Sequence, residues 1–128
     1  MAKIKIKGKE YPLKCTCYVL AIIQDKYENL TDFEIELSGK KPFMENGEQK
    51  KDEKGNLLYK QGEPSMKAIN FMLPLCVNEG IEIEAEELNT EAKPLKEKYI
   101  NRNVEGLSIY ELSKMLCEEF YRAVIAKK

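Results

Sequence analysis

The chain has 128 residues, 43% apolar and 34% charged, with 21 Lys and Arg, 22 Asp and Glu, and no His. That length suits a single domain with its own core, and the apolar fraction excludes an intrinsically disordered chain. A net charge of −1 supplies no basic excess for a phosphate backbone, so nucleic acid is not an expected partner.

The chain opens on alternation. Ile4 and Ile6 share one strand face while Lys3, Lys5 and Lys7 share the other, Gly8 supplies a tight turn, and Tyr11, Leu13 and Cys15 line the apolar face of a second strand. Pro12 has no N–H to give a ladder, which puts that strand at a sheet edge. Thr16 then stands as N-cap of a helix over Cys17–Tyr27, with Leu20, Ile23 and Tyr27 on one face and Val19 and Ile22 widening it. Thr31-Asp32-Phe33-Glu34 reads as a capping box opening a short helix that Ser38-Gly39 ends.

Residues 40–62 change character. No apolar residue occurs from Glu45 to Asn56, so the segment is a surface excursion, either mobile or a charged hairpin turning near Lys54-Gly55. Pro64-Ser65 begins the most apolar helix, with Ser65 as cap and Gly80 as terminator. Met66, Ile69, Met72, Leu73, Cys76 and Val77 nearly encircle its middle, which marks the central core helix, with both methionines filling gaps. Pro74 inside it predicts a kink near the Asn70 carbonyl or a split.

Ile81-Glu82-Ile83-Glu84 reads as a short strand, and Pro94 as the first turn of a helix through Ile100. Asn103-Val104-Glu105-Gly106 breaks that helix. Ser108-Ile109-Tyr110-Glu111 is a second capping box, and Ile109, Leu112, Leu116, Phe120 and Ala123, with Met115 and Val124 beside them, form a terminal amphipathic stripe. The expected fold is therefore α+β: an N-terminal β-hairpin followed by a mainly helical single domain of about five helices, with the polar excursion at 40–62.

Chemistry is hard to place on this chain. Without His the usual neutral-pH base and the His-dependent triads are missing, and neither a phosphate loop nor a dinucleotide fingerprint occurs. Cys15, Cys17, Cys76 and Cys117 read as small buried hydrophobes. The carboxylate pairs Glu86/Glu87 and Glu118/Glu119 read as solvated charge, because adjacent helix residues point apart. The stretch from Leu107 to Leu116 resembles the first helix of a helix-turn-helix, but acidic residues continue the same helix where a turn is needed. Residues 68–77 are too short for the ~20 residues of a membrane span, and no signal peptide is read at the start. These readings assign no catalytic, cofactor-binding or metal residue. They expect a cytoplasmic non-enzyme with no cofactor, no small-molecule substrate and no membrane partner.

The order of parts carries a resemblance. It runs from the hairpin Ile4-Lys5-Ile6-Lys7-Gly8-Lys9-Glu10-Tyr11-Pro12-Leu13 through a Thr-capped helix ending Lys26-Tyr27-Glu28-Asn29-Leu30 to the short Asp32-Phe33-Glu34 helix. A variable polar segment follows, then an apolar helix closing on Val77-Asn78-Glu79-Gly80, a Pro94-Leu95 helix, and Leu107-Ser108-Ile109-Tyr110-Glu111-Leu112. This order resembles the small tail assembly chaperones of long-tailed phages and prophages of Gram-positive bacteria, over nearly the whole chain except 40–62. Pro74 and the long charged excursion depart from that pattern.

The resemblance implies a non-catalytic protein that coats the hydrophobic tape measure protein until tail-tube subunits polymerise around it, and that is absent from the finished virion. It also implies that a frameshifted long form is made in many members, for which the codons of Lys127 and Lys128, after Ala126, would supply an A-rich slippery site. No individual residue is assigned as a tape measure contact, and self-association is compatible with the role. Another tail or head completion component is the alternative, followed by a small DNA-binding regulator.

Overall fold

The computed structural model describes residues 2–125; Ala126-Lys127-Lys128, where the slippery-site expectation falls, lies outside the described residues. The fold is α+β, an N-terminal hairpin followed by five helices. Strands β1 (Ala2–Ile6) and β2 (Lys9–Leu13) pair antiparallel, with Ile4 opposite Tyr11 and Ile6 opposite Lys9. The turn is Lys7-Gly8, with φ of 46° and 82°. Positive φ at both positions is the tight turn whose twist matches a hairpin, and glycine adopts it without strain. Ile4 and Ile6 are buried and the lysines exposed, as the alternation requires.

Both edges of this small sheet are occupied. On the β1 side the Lys7 amide donates to the Asn103 carbonyl (2.9 Å), the Glu105 amide donates to the Lys5 carbonyl (3.0 Å), and Val104 bridges Ile6. On the β2 side lies α3 (Met66–Glu87). Pro12, expected at an edge, packs directly on this helix and is buried there.

Helix α3 corrects two expectations and decides between two alternatives for a third. Gly80 does not terminate it, and Ile81-Glu82-Ile83-Glu84 is not a strand; the helix runs unbroken for 22 residues. Gly80 is there for closeness: a Cβ would collide with the Pro12 carbonyl, so only glycine lets β2 approach. Nor does Pro74 split the helix. It leaves the Asn70 carbonyl without its usual helical donor, and the Asn101 side-chain amide donates to that oxygen at 3.1 Å. Ser65 caps the start as expected, accepting from the Ala68 amide at 3.2 Å. Met72 is in the core, but Met66 is 44% exposed.

Helix α1 (Cys17–Tyr27) buries Val19, Leu20 and Ile23. Thr16 holds the N-cap position but its hydroxyl caps nothing, donating instead to the Glu79 carboxylate of α3. Helix α2 (Leu30–Ser38) begins earlier than the Thr31 box predicts. Asn29 is the cap, its Oδ1 accepting from the Asp32 amide at 2.8 Å. Glu34, released from capping, accepts from Tyr121 and Lys40. Gly39 ends the helix in the left-handed conformation, as expected.

Residues 40–62 form a folded hairpin arm. Strands β3 (Lys40–Pro42) and β6 (Tyr59–Gln61) pair at its base, and β4 (Met44–Glu45) and β5 (Glu48–Gln49) pair around an Asn46-Gly47 turn. A further bend at 52–56 wraps the Asp52 carboxylate, which accepts from the Asn56 and Lys54 amides at 2.9 Å each. Those bonds, the Asn56 amide foremost, hold its carboxyl below the ordinary carboxylate value.

Helix α4 (Glu97–Asn103) starts after Pro94, with Lys96 as its cap residue, and buries Ile100. The preceding loop is held by Asn78, which accepts from the Leu95 amide at 2.8 Å and donates to the Leu95 carbonyl at 2.9 Å. Helix α5 (Ile109–Ile125) begins with the predicted capping box. The Ser108 amide donates to Glu111 (3.0 Å) and the Glu111 amide donates to Ser108 (3.1 Å). Its stripe buries Leu112, Leu116, Phe120 and Ala123 against Phe33 and the rest of the core.

Two polar residues lie within that buried face. Ser113 donates to the Leu37 carbonyl at 2.6 Å, which ties α5 to α2. Glu119, expected to be solvated, is 1% exposed and pairs with Arg122 at 2.5 Å. A desolvated carboxylate needs such a partner.

Two substitutions test these assignments. By helix propensity alone, Gly80→Ala would stabilise α3 by about 1 kcal/mol; the Pro12 contact reverses the sign, to a loss of roughly 1–3 kcal/mol, read from urea midpoints. In the second capping box the Ser108 amide, with its hydroxyl, holds the Glu111 carboxyl below its ordinary 4.5. A carboxylate pKa depressed by folding contributes stability above its unfolded value, and that contribution is lost as pH falls through the folded value. Glu111→Gln is therefore expected to lower the melting temperature at neutral pH and to match the parent in acid.

Candidate functional site

The main concavity lies along α1 and α3. Helices α1 and α3 run antiparallel, with Thr16 bonded to Glu79 at one end and the Lys26 ammonium 4.3 Å above the Phe71 ring at the other. With 11 residues, α1 covers only part of the 22-residue α3. The later turns of α3 run on beyond the start of α1 and leave one face uncovered. An open groove of about 720 Å³ follows α3 along the stretch paired with α1 and on into these later turns.

Its floor is apolar: Val19 and Ile22 from α1, and Phe71, Pro74, Leu75 and Ile83 from α3. With Asn78, Glu79 and Glu82 between them, the α3 contributions follow three- and four-residue steps, so they form a second stripe, distinct from the inward stripe of Ile69, Met72, Leu73, Cys76 and Val77. From Phe71 to Glu86 the groove follows α3 for about 22 Å at the helical rise. Tyr18, 70% exposed, flanks the floor.

The rim is acidic. Glu79, Glu82 and Glu86 from α3 and Glu97 from α4 surround the floor, and the Lys26 ammonium stands over Phe71, at the opposite end from Glu86. Glu86, read from sequence as merely solvated, belongs to this rim. Several like charges beside an apolar floor make a field that favours cationic partners and repels anionic ones. The one hydroxyl in the lining with a fixed partner is that of Thr16, engaged by Glu79. The lining offers surface and charge for binding; it contains no activated nucleophile.

The cysteines are distributed differently from the sequence reading. Cys15 and Cys76 are buried, Cys117 is half-buried and Cys17 is exposed. The Cys76 thiol neighbours that of Cys15, and this contact together with burial pushes it well above the usual thiol range, which disfavours a nucleophilic thiolate. Among the described residues no group of three or more Cys, Asp and Glu is placed to hold a metal ion, and no helix is long and apolar enough to cross a membrane.

The helix-turn-helix lookalike is a single helix, unbroken through Ile125. The arm exposes Phe43, Met44, Leu57 and Tyr59, with the Lys50 ammonium 5.2 Å above the Phe43 ring.

The sequence assigns no partner-contacting residue and does not single out the groove residues on α3 as one surface. Phe71, Leu75, Asn78/Glu79, Glu82/Ile83 and Glu86 keep helical spacing on one face. Ending the helix at Gly80 and assigning 81–84 to a strand cut that pattern in half. Comparison of the chain with known protein families, with curated proteins and with solved structures returns no match.

Proposed function

We propose that this protein is a tail assembly chaperone: a non-catalytic protein of the bacterial cytoplasm that binds the tape measure protein of a long-tailed phage or prophage and keeps it soluble during tail morphogenesis. The order of hairpin, helices and capping motifs is what resembles that family. The observation that carries the reading is the open groove between α1 and α3. A long helical protein with apolar stripes aggregates unless a partner covers them, and a concave apolar surface is what such a partner needs. Many copies along one template allow modest affinity at each groove, with avidity supplying the rest.

The terminal stripe of α5 is unavailable for this task, because Leu112, Leu116 and Phe120 are committed to the core. The groove residues Leu75 and Ile83 are only half-buried, so they can be changed without emptying the interior.

Co-expression with the long tape measure-like protein encoded beside the gene is the direct test. The expected result is a soluble partner that co-purifies with this chain. Leu75→Gln with Ile83→Gln is expected to cost about 1–2 kcal/mol of binding per site and to strip the partner from the complex, while the folded variant stays soluble. A partner that precipitates beside the freely soluble parent chain would overturn the reading.

A further inference from the structure

We infer that the groove between α1 and α3 selects an amphipathic helix whose apolar stripe is flanked by lysine or arginine; the inference rests on the chaperone reading only for the partner being a helical protein. The floor argues for a helix. An extended segment laid on Val19, Ile22, Phe71, Leu75 and Ile83 would leave backbone N–H and C=O groups facing apolar side chains without partners. A helix satisfies its own backbone and presents only side chains. A third helix seated between α1 and the overhanging turns of α3 also completes a packing in which helix axes lie about 8–10 Å apart. The floor from Phe71 to Ile83 spans about 18 Å, a little over three turns, a length that suits anchors recurring every three or four residues.

The rim selects the flanks of that helix. Glu82, Glu86 and Glu97 are exposed at the groove edge, so each can meet a cation without being stripped of water. Exposed pairs of this kind add little affinity singly; they reject wrong partners and speed encounter with right ones. An acidic helix with the same apolar stripe would set like charges together along the rim. The same argument opposes a two-fold dimer closed groove to groove, since a symmetric interface would bring two copies of the glutamate rim together.

Two synthetic peptides of about 20 residues test this. They share one leucine stripe at helical spacing, flanked by lysine in one and by glutamate in the other. Binding to the full chain is followed by calorimetry at low and raised ionic strength. The lysine peptide is expected to bind at least about tenfold more tightly, with the advantage shrinking as salt rises. Leu75→Gln with Ile83→Gln is expected to abolish binding of both peptides.

Glu82→Lys, Glu86→Lys and Glu97→Lys together are expected to reverse the preference. Should that triple variant not fold, the Glu→Gln triple is expected to erase the preference. Equal affinity for the two peptides, binding of neither, or a preference that survives the rim variant would overturn the inference. So would a dimer of the chain alone, seen by ultracentrifugation, that dissociates on groove substitution. The two readings fail separately. A tape measure protein retained equally by parent and rim variant sinks charge selection and leaves the chaperone. Peptide selection without tape measure retention does the reverse.

Discussion

The close approach of β2 to α3 at Pro12 and Gly80 is the constraint on which the rest of the arrangement depends. It joins the local N-terminal hairpin to a helix nearly seventy residues later in the chain. Each partner lacks what would obstruct the contact: proline has no amide left needing a ladder partner, and glycine has no Cβ. Once the hairpin lies on α3, Ile4, Ile6 and Leu13 share a core with Met72, Cys76 and Val77. The chain leaving β2 then enters α1 beside the same helix, and the Lys14 amide donates to the Cys76 carbonyl at 3.1 Å. The axis of α1, and with it one wall of the groove, follows from where the hairpin is docked.

Pro74 connects the interior to the groove. Its ring lies in the groove floor, and the carbonyl it leaves without a helical donor is satisfied from α4 by Asn101. One turn further on, Asn78 holds the Leu95 backbone with two hydrogen bonds. Both links orient the segment that brings Glu97 to the rim. An otherwise costly residue in a helix interior thus sits where the neighbouring helix repairs the ladder, and the repair helps place a rim charge.

Several polar side chains are spent on elements distant in the chain. Ser113 reaches the last turn of α2 and Thr16 reaches α3. Glu34 meets Tyr121 of α5, and burial together with that carboxylate raises the Tyr121 phenol above its ordinary value. Within α5, Glu119 meets Arg122 across one turn, because a carboxylate cannot be left unpaired against the core. The bonds to distant elements replace local capping bonds that the same residues offer in isolation. Where a residue has no such competitor, as at Ser108 and Glu111 on the surface, the local box forms as expected.

Local chemistry was legible in the sequence wherever neighbours in the chain decide the outcome. The hairpin follows from Ile/Lys alternation around Gly8, the α5 stripe from its spacing, the Ser65 and Ser108 caps from their positions, and the α+β class from the order of these parts. Tertiary structure decided the rest, because it depends on groups far apart in the chain. Gly80 has the same appearance whether it ends a helix or admits Pro12. The pair Ile81 and Ile83 has the same alternation in a strand as in a helix whose two faces meet different surroundings. Glu119 carries the same carboxylate as Glu118, yet only one of them faces inward. The groove belongs to this second group: its lining is assembled from α1, α3 and α4, which are far apart in the chain.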